Sequence, residues 1–255
     1  MLPLSVMPYN RYVTTITVGH QALRDRLYQA YASQHSGSDA GGAAAFIYQR
    51  DIRPMLPSPE TGPVVDIGCG QGELVRLMTA DGYDARGIDI SPEQVAIARA
   101  AGLNQVQQGD YRDILGARNG QFAAVIATDV LEHLTKDEVL AAFDHVAAAL
   151  APNGVFVARV PNAVSPFGGN IRYGDFTHES WYTERSVRQL AAATGFASVM
   201  VLPCPPVAHG LVSAMRLVAW KNVSALCKLA LAAETGSLRG HIVTQNLTFS
   251  AQKPG

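Results

Sequence analysis

Val64-Val65-Asp66-Ile67-Gly68-Cys69-Gly70-Gln71-Gly72-Glu73 is the stretch whose reading decides the fold. Four residues rich in Val and Ile read as a strand buried on both faces, followed by three glycines and the helical pattern Glu73 to Ala80. Glycine lets backbone approach a ligand where a Cβ would collide with it. The spacing is G-x-G-x-G, and Glu73 stands where a dinucleotide fingerprint carries its third glycine, which places a dehydrogenase well behind other readings. Acids at both ends of the turn, Asp66 and Glu73, serve an anion poorly and point to a cationic or zwitterionic ligand.

Outward from the turn the same pattern repeats. Short apolar runs at Ala85 to Ile90, Ala123 to Ala127 and Val155 to Val160 alternate with helical patterns at Pro92 to Ala101, Lys136 to Leu150 and Glu184 to Ala193. This alternation implies βαβ units and an α/β, Rossmann-like, doubly wound sheet with helices on both faces. Two further strands, Ala197 to Leu202 and Ile242 to Ala251, flank a helical insertion at residues 204–240. Upstream, Pro54, Pro57, Pro59, Gly62 and Pro63 form a break that neither a helix nor a central strand crosses. It separates an expected N-terminal helical cap, residues 1–60, from a domain over residues 61–255. The cap has helical patterns at Leu23 to Ser33 and Ala43 to Met55, and Tyr28, Tyr31, Tyr48 and Arg50 are expected over the cleft.

Composition narrows the function. The chain has 255 residues, 48% of them hydrophobic, which excludes a disordered chain. A net charge of -1 argues against a general nucleic-acid binder. That charge is divided unevenly, because residues 205–255 hold five cations and one anion while the rest of the chain is acidic. Cys69, Cys204 and Cys227 are scattered and form no CxxC pair, which fits neither a disulfide framework nor a structural zinc site. Met1 to Arg11 shows no secretory signal pattern, and a cytoplasmic location is expected. Leu211 to Ala233 is apolar but interrupted by Arg216, Lys221 and Lys228, so it is not a spanning helix.

Two more acids close expected strands. Asp89 in Gly87-Ile88-Asp89-Ile90 follows the glycine turn at the distance from which a carboxylate reaches a ribose hydroxyl. Asp110 in Gly109-Asp110-Tyr111 could accept from an exocyclic amine, and either acid alone could equally be a helix cap. Three acids at successive carboxyl ends of one sheet suit a ligand-binding edge better than coincidental caps.

On VVDIGCGQGE (64–73), GIDIS (87–91), QGDY (108–111) and ATDVLEHL (127–134), the chain resembles the class I S-adenosylmethionine-dependent methyltransferases. The resemblance covers about Val64 to Pro161. It implies S-adenosyl-L-methionine as cofactor and a seven-stranded sheet of six parallel strands with the last antiparallel. It also implies cofactor contacts at Asp66, Gly68, Gly70 and Gln71 in the turn, Asp89 and Ile90 at the ribose, Asp110 and Tyr111 at the adenine, and Asp129 beside them.

Methyl transfer to an amine or thiolate needs little beyond positioning, whereas an alcohol needs a base. The candidate bases are His133 and His178. His178 lies in an unusually long connection, Pro161 to Thr183, that also holds Phe167, Arg172, Tyr173, Asp175, Trp181 and Tyr182, a combination of aromatics and hydrogen-bonders suited to a sugar or polyol. Asp129, Glu132 and His133 are spaced D-x-x-E-H, similar to the metal-binding E-x-x-E-H of some quinone-biosynthesis and RNA 2′-O-methyltransferases, with His178 as a further candidate ligand. Metal-free relatives carry a similar D-x-L-E-H, so the metal is left undecided.

Pro161-Asn162, RYGDFTHE (172–179) and the basic amphipathic insertion resemble methyltransferases of bacterial polysaccharide and O-antigen biosynthesis. This resemblance implies a saccharide hydroxyl as acceptor, with Arg172, Tyr173 and Asp175 in its site. A quinone precursor or other small phenol is the alternative, and a catalytically silent cofactor-binding partner is the reading from another class. On a helical wheel Leu211, Val212, Met215, Val218, Val223, Leu226, Leu229 and Ala230 share one face, opposite Ser213, Arg216, Lys221, Ser224 and Lys228. Packing on its own domain, a lid, a homodimer contact and a peripheral contact with an anionic membrane through residues 211–233 are all open for this helix.

Overall fold

The computed structural model describes residues 40–208, 210–237 and 240–255, so the expected helix at Leu23 to Ser33, with Tyr28 and Tyr31, lies outside the described residues. Seven strands form one sheet: β1 (Val64–Ile67), β2 (Ala85–Asp89), β3 (Val106–Gln108), β4 (Phe122–Thr128), β5 (Leu150–Pro161), β6 (Ser198–Pro203) and β7 (Asn246–Gln252). Their order is β3-β2-β1-β4-β5-β7-β6. β1 to β5 pair in parallel, and β7 runs antiparallel to both β5 and β6. The strand order reverses between β1 and β4, and in open α/β sheets that crevice outside the carboxyl ends is where ligands bind. The glycine turn leaves β1 at this point.

Alternation along the central strands fills both faces. Val65, Ile67, Val125 and Ala127 join one core, and Val64, Ala124 and Ile126 the other. The first core is dominated by Phe143 of the helix Lys136–Ala149. Its ring lies 5.2 Å from Phe156 edge-on and 6.0 Å from Phe249 in a stack. That helix starts on a full capping box, Thr135 with Glu138. The opposite core holds the helix Glu73–Ala80 through Val75 and Met78, together with Tyr48 and Ile52.

The α-helices, numbered in order among the described residues, are α1 (Ala40–Ile47), α2 (Glu73–Ala80), α3 (Pro92–Ala100), α4 (Tyr111–Gly116), α5 (Lys136–Ala149), α6 (Gly169–Gly174), α7 (Glu184–Ala193) and α8 (Leu211–Thr235). Three departures from the sequence reading have physical causes. The expected single helix Ala43 to Met55 is α1 followed by a π turn, Tyr48–Ile52, and a 3-10 turn, Arg53–Met55. Pro54 cannot donate into a continuing ladder, and the wider turn buries Tyr48, whose hydroxyl donates to Asp81 at 2.8 Å. The last strand begins at Asn246 rather than Ile242, because the Asn162 side-chain amide donates to the carbonyls of Ile242 and Thr244 at 2.7 and 2.8 Å. α4 was not foreseen, and Asp110 caps it.

α8 is the insertion, and no helix among the described residues is long and apolar enough to cross a membrane. Its apolar stripe is exposed, and the helix meets its own domain through another face. Leu211, Val212 and Leu226 are 79%, 75% and 67% exposed, and Ser213 is the buried position. Half-buried Leu217, Trp220, Ser224 and Cys227 turn toward the protein instead. By helical geometry Arg216 flanks the exposed stripe on one side and Lys221 and Lys228 on the other.

Removing the central ring should be costly because the cavity it leaves is walled by other large side chains. Phe143→Ala is expected to lower unfolding stability by about 3–5 kcal/mol, measured by chemical denaturation with an unchanged m-value. A loss below about 1 kcal/mol would show that this core repacks freely.

Candidate active site

The turn after β1 is built on left-handed backbone, with φ of +68° at Gly68 and +54° at Gly70. A Cβ on Gly68 would stand 2.5 Å from Val130 Cγ2, so the turn tucks beneath the loop after β4 only as glycine. At Gly70 the nearest heavy atom to such a Cβ is Gln94 Oε1 at 4.0 Å, which leaves the backbone face open to a ligand. The amides of Gly68 and Cys69 donate to the carbonyl of Ile88 at 2.8 and 3.1 Å, tying the turn to β2. Asp89 completes the tie, since one oxygen accepts from the Gly70 amide at 2.7 Å and the other from the Ser91 amide at 2.8 Å. Each carboxylate oxygen retains a second acceptor position for a hydroxyl.

Asp66 is 2% exposed, and its Oδ1 has no hydrogen-bond partner. Burial, with the Asp89 charge second, pushes its carboxyl well above the usual range. Gln94 Oε1 and Thr128 Oγ1 are likewise buried without a hydrogen-bond partner. Native proteins seldom leave such atoms orphaned. Acceptors collected around an open glycine backbone fit a ligand that brings its own N–H and O–H groups, as the amine and ribose of S-adenosylmethionine would.

Further along the edge, Ile90 is 51% exposed and offers an apolar ledge beside Asp89, and Gln71 is exposed on the turn. Asp110 accepts from the Arg112 amide at 2.8 Å and from the Arg112 guanidinium. Burial would raise its carboxyl, but the Arg112 hydrogen bonds and charge hold it below the usual range. The helix cap and the binding position are therefore the same residue, with Tyr111 next to it. Asp129, at φ +55°, is ion-paired with Arg159.

The long loop after β5 folds back onto the turn Leu131–His133. The amides of Glu179 and Ser180 donate to the carbonyl of Glu132 at 2.7 and 3.0 Å, and the Tyr182 hydroxyl donates to the carbonyl of Leu131 at 2.9 Å. This brings the two candidate bases together, with ring centroids 4.8 Å apart. His178 Nδ1 lies 2.8 Å from the Ile171 carbonyl, which can only accept, so the lone pair is on Nε2. His133 Nδ1 lies 2.7 Å from Thr177 Oγ1, whose hydroxyl donates to Asp175 at 2.6 Å, so His133 also carries its lone pair on Nε2. Asp175 thus acts through Thr177 to orient His133. Glu132, 2% exposed, completes the group, and burial followed by the Asp129 charge raises its carboxyl. One ligand atom each from Glu132, His133 and His178 lies within 4.8 Å of the others, so the group could accept a proton or hold a divalent cation. Arg172 stacks over Trp181 at 5.0 Å, while Tyr173 and Phe176 are 79% and 81% exposed at the loop surface.

Four site residues escaped the sequence reading: Gln94, Thr128, Arg159 and Thr177. Arg159 had a visible signal, a lone cation in the apolar run Val155 to Val160. The others are ordinary polar residues until the fold places them.

A family model described as a methyltransferase domain matches residues 43–201. A ubiquinone biosynthesis O-methyltransferase of Xylella fastidiosa is 33% identical over 110 residues, 41% of this chain and 44% of that protein. A protein of the same name from Xanthomonas oryzae is 40% identical over 76 residues, 28% of this chain and 32% of that one. The chain thus spans less than half the length of these relatives. Among solved structures, a SAM-dependent methyltransferase from Archaeoglobus fulgidus shares the fold with a TM-score of 0.64 at 18% identity, covering 89% of this chain and 99% of that one. Haemonchus contortus phosphoethanolamine N-methyltransferase 2, in complex with S-adenosyl-L-methionine, does so with a TM-score of 0.55 at 18% identity, covering 100% of this chain and 62% of that one.

The buried Asp66 carboxyl makes a prediction with a definite sign. Its folded-state pKa is raised, so its contribution to stability is present at acid pH and lost as pH rises through that value. Asp66→Asn should raise the unfolding midpoint above wild type near about pH 8, by on the order of 2–4 °C per kcal/mol relieved, and the gain should vanish near about pH 4. A midpoint difference independent of pH would show that Asp66 is not the titrating group.

Proposed function

The chain belongs to the S-adenosylmethionine-dependent methyltransferase family, whose domain model matches residues 43–201, and on that premise we propose that it methylates a hydroxyl of a saccharide or glycan precursor. The observation that carries the O-methylation reading is the pair of imidazoles at the carboxyl edge, each with its lone pair on Nε2. An alcohol needs that proton acceptor, and an amine or thiolate does not.

S-adenosylmethionine, when bound, supplies an electrophilic methyl on a sulfonium. The open backbone at Gly70 and the Asp66 carboxyl receive its amino-acid part, Asp89 its ribose hydroxyls, and Ile90, Asp110 and Tyr111 its adenine. Gln71 and Asp129 border the same groove. The protein's remaining task is to hold the acceptor oxygen in line, about 3–3.5 Å from the methyl carbon. With the cofactor bound, Nε2 of His178 or His133 would take the proton of the acceptor hydroxyl as its oxygen receives the methyl group. Arg172, Tyr173 and Asp175 sit on the loop that carries His178, and the exposed aromatics there suit stacking of a sugar ring.

A second reading is favoured by the Xylella and Xanthomonas relatives, both named ubiquinone biosynthesis O-methyltransferases: the acceptor is a small phenol. In that reading Glu132, His133 and His178 would hold a divalent ion that acidifies the phenolic hydroxyl.

Methyl transfer to nucleotide sugars, lipid-linked glycans and catechols, with and without a chelator, separates the readings. The saccharide reading expects turnover of a glycan acceptor that survives chelation, and catechol turnover abolished by chelation would replace it with the second. His178→Ala should lower turnover by about 10²–10⁴-fold, and full turnover would remove it as the base. Asp89→Ala should weaken S-adenosylhomocysteine binding by about 1–3 kcal/mol in calorimetry, because ribose hydroxyls lose their partner. Cofactor binding with no turnover on any acceptor would instead identify a silent partner.

A further inference from the structure

A cavity of about 600 Å³ lies between α8 and the β5–β7 side of the sheet. Arg50, Arg159 and Arg216 are among its lining residues, and no acidic residue is among the described ones. Arg50 is ion-paired with Asp51 and also donates to the carbonyl of Pro205, while Arg159 pairs with Asp129. Both acids stand outside the lining. Arg159 is largely buried, and its Nε has no hydrogen-bond partner. Trp220 and Phe167, in ring contact at 6.2 Å, form an aromatic wall.

Asp51 and Asp129 offset the charges of Arg50 and Arg159, while Arg216, on exposed α8, has no ion-pair partner among the described residues and is the cation left for an incoming anion. The guanidinium fork matches a phosphate oxygen pair. Arg159 also links the cavity to the reaction edge, since the same side chain pairs with Asp129 beyond the end of β4. The volume is that of a small-molecule site and exceeds what a lone anion fills, leaving room for a ring against Trp220.

We propose that this cavity is the acceptor subsite for a phosphate ester, holding the oxyanion on Arg50, Arg159 and Arg216 while the acceptor hydroxyl reaches the histidine pair. It rests on the methyltransferase reading and deepens it: the acceptor is a phosphorylated glycoside. Two sources share that chemistry, a soluble nucleoside diphosphate sugar and a phosphate-borne lipid. Val223 belongs both to the cavity lining and to the exposed apolar stripe of α8, so a lipid tail leaving the cavity would meet Met215, Val218 and Leu226.

The test uses the full chain with three probes: S-adenosylhomocysteine, uridine diphosphate glucose, and phosphatidylcholine vesicles with and without phosphatidylglycerol. Arg216 is exposed on α8, so its variants should fold. Uridine diphosphate glucose, phosphatidylglycerol vesicles or both should bind the wild type. Arg216→Ala should weaken that binding about tenfold or more, in line with the loss of one charge-assisted hydrogen bond, with Arg216→Lys in between. S-adenosylhomocysteine binding should be unchanged in both variants. Binding of the nucleotide sugar alone identifies the soluble source, and binding of anionic vesicles alone the lipid source. If S-adenosylhomocysteine binds but neither phosphate probe does, or if Arg216→Ala binds them like wild type, the subsite is overturned while the family reading stands. Failure of S-adenosylhomocysteine itself to bind would instead count against the methyltransferase reading.

Discussion

The cleft depends on one carboxylate. Asp89 takes the amide of Gly70 on one oxygen and that of Ser91 on the other, so a single side chain joins the glycine turn after β1 to the start of α3 after β2. Without that bridge the backbone tie of the turn to β2 would rest on the Gly68 and Cys69 amides at the Ile88 carbonyl. With it, left-handed backbone that would otherwise be free to relax is fixed with its open face toward the switch point of the sheet. The unmatched polar atoms of Asp66, Gln94 and Thr128 surround this fixed point. They cost free energy in the empty protein and give a polar ligand more to gain on entering.

The histidine pair is organised differently. It joins His133, on the turn after β4, to His178, on a loop positioned by donors to the carbonyls of Leu131 and Glu132. The hydrogen bonds that set both imidazole tautomers are made by ordinary groups, a carbonyl at Ile171 and a hydroxyl at Thr177. Basic nitrogens are thus placed by stitching a flexible connection to the rigid edge of β4. The same stitching buries Glu132 and Tyr182 and leaves Tyr173 and Phe176 of the loop facing solvent.

The sheet was legible because its signals are local. Doubly buried strands show as Val and Ile runs, and the turn shows as glycines at fixed spacing. Every long helix between β1 and β6 lies within a residue or so of its sequence pattern, and the antiparallel last strand expected from the family resemblance is present. The breaks that were missed depend on distant partners. Asn162 diverts the carbonyls of Ile242 and Thr244, and Asp81 anchors the π turn through Tyr48. Likewise the spacing of His133 and His178 could not show that their rings meet, nor that Arg50 and Arg216 line one cavity. The amphipathic pattern of α8 was readable, but which face it turns outward was decided by half-buried Leu217, Trp220 and Cys227.

The antiparallel placement of β7 has a consequence for how such a protein can change. β6 ends at Pro203, paired with Leu247, and β7 begins at Asn246, paired with Pro161 at the end of β5. The insertion therefore leaves and re-enters the sheet at almost the same point, on its carboxyl edge. A connection anchored this way can lengthen or shorten at little entropic cost, because closure entropy grows only slowly with length. Residues 64–130 build the glycine-turn side of the cleft, whereas the histidine side joins Glu132 and His133 after β4 to the loop that carries His178. Exchange of residues 162–245 would therefore change what surrounds His133 while the glycine turn stays fixed, which makes this architecture a natural substrate for chimeras.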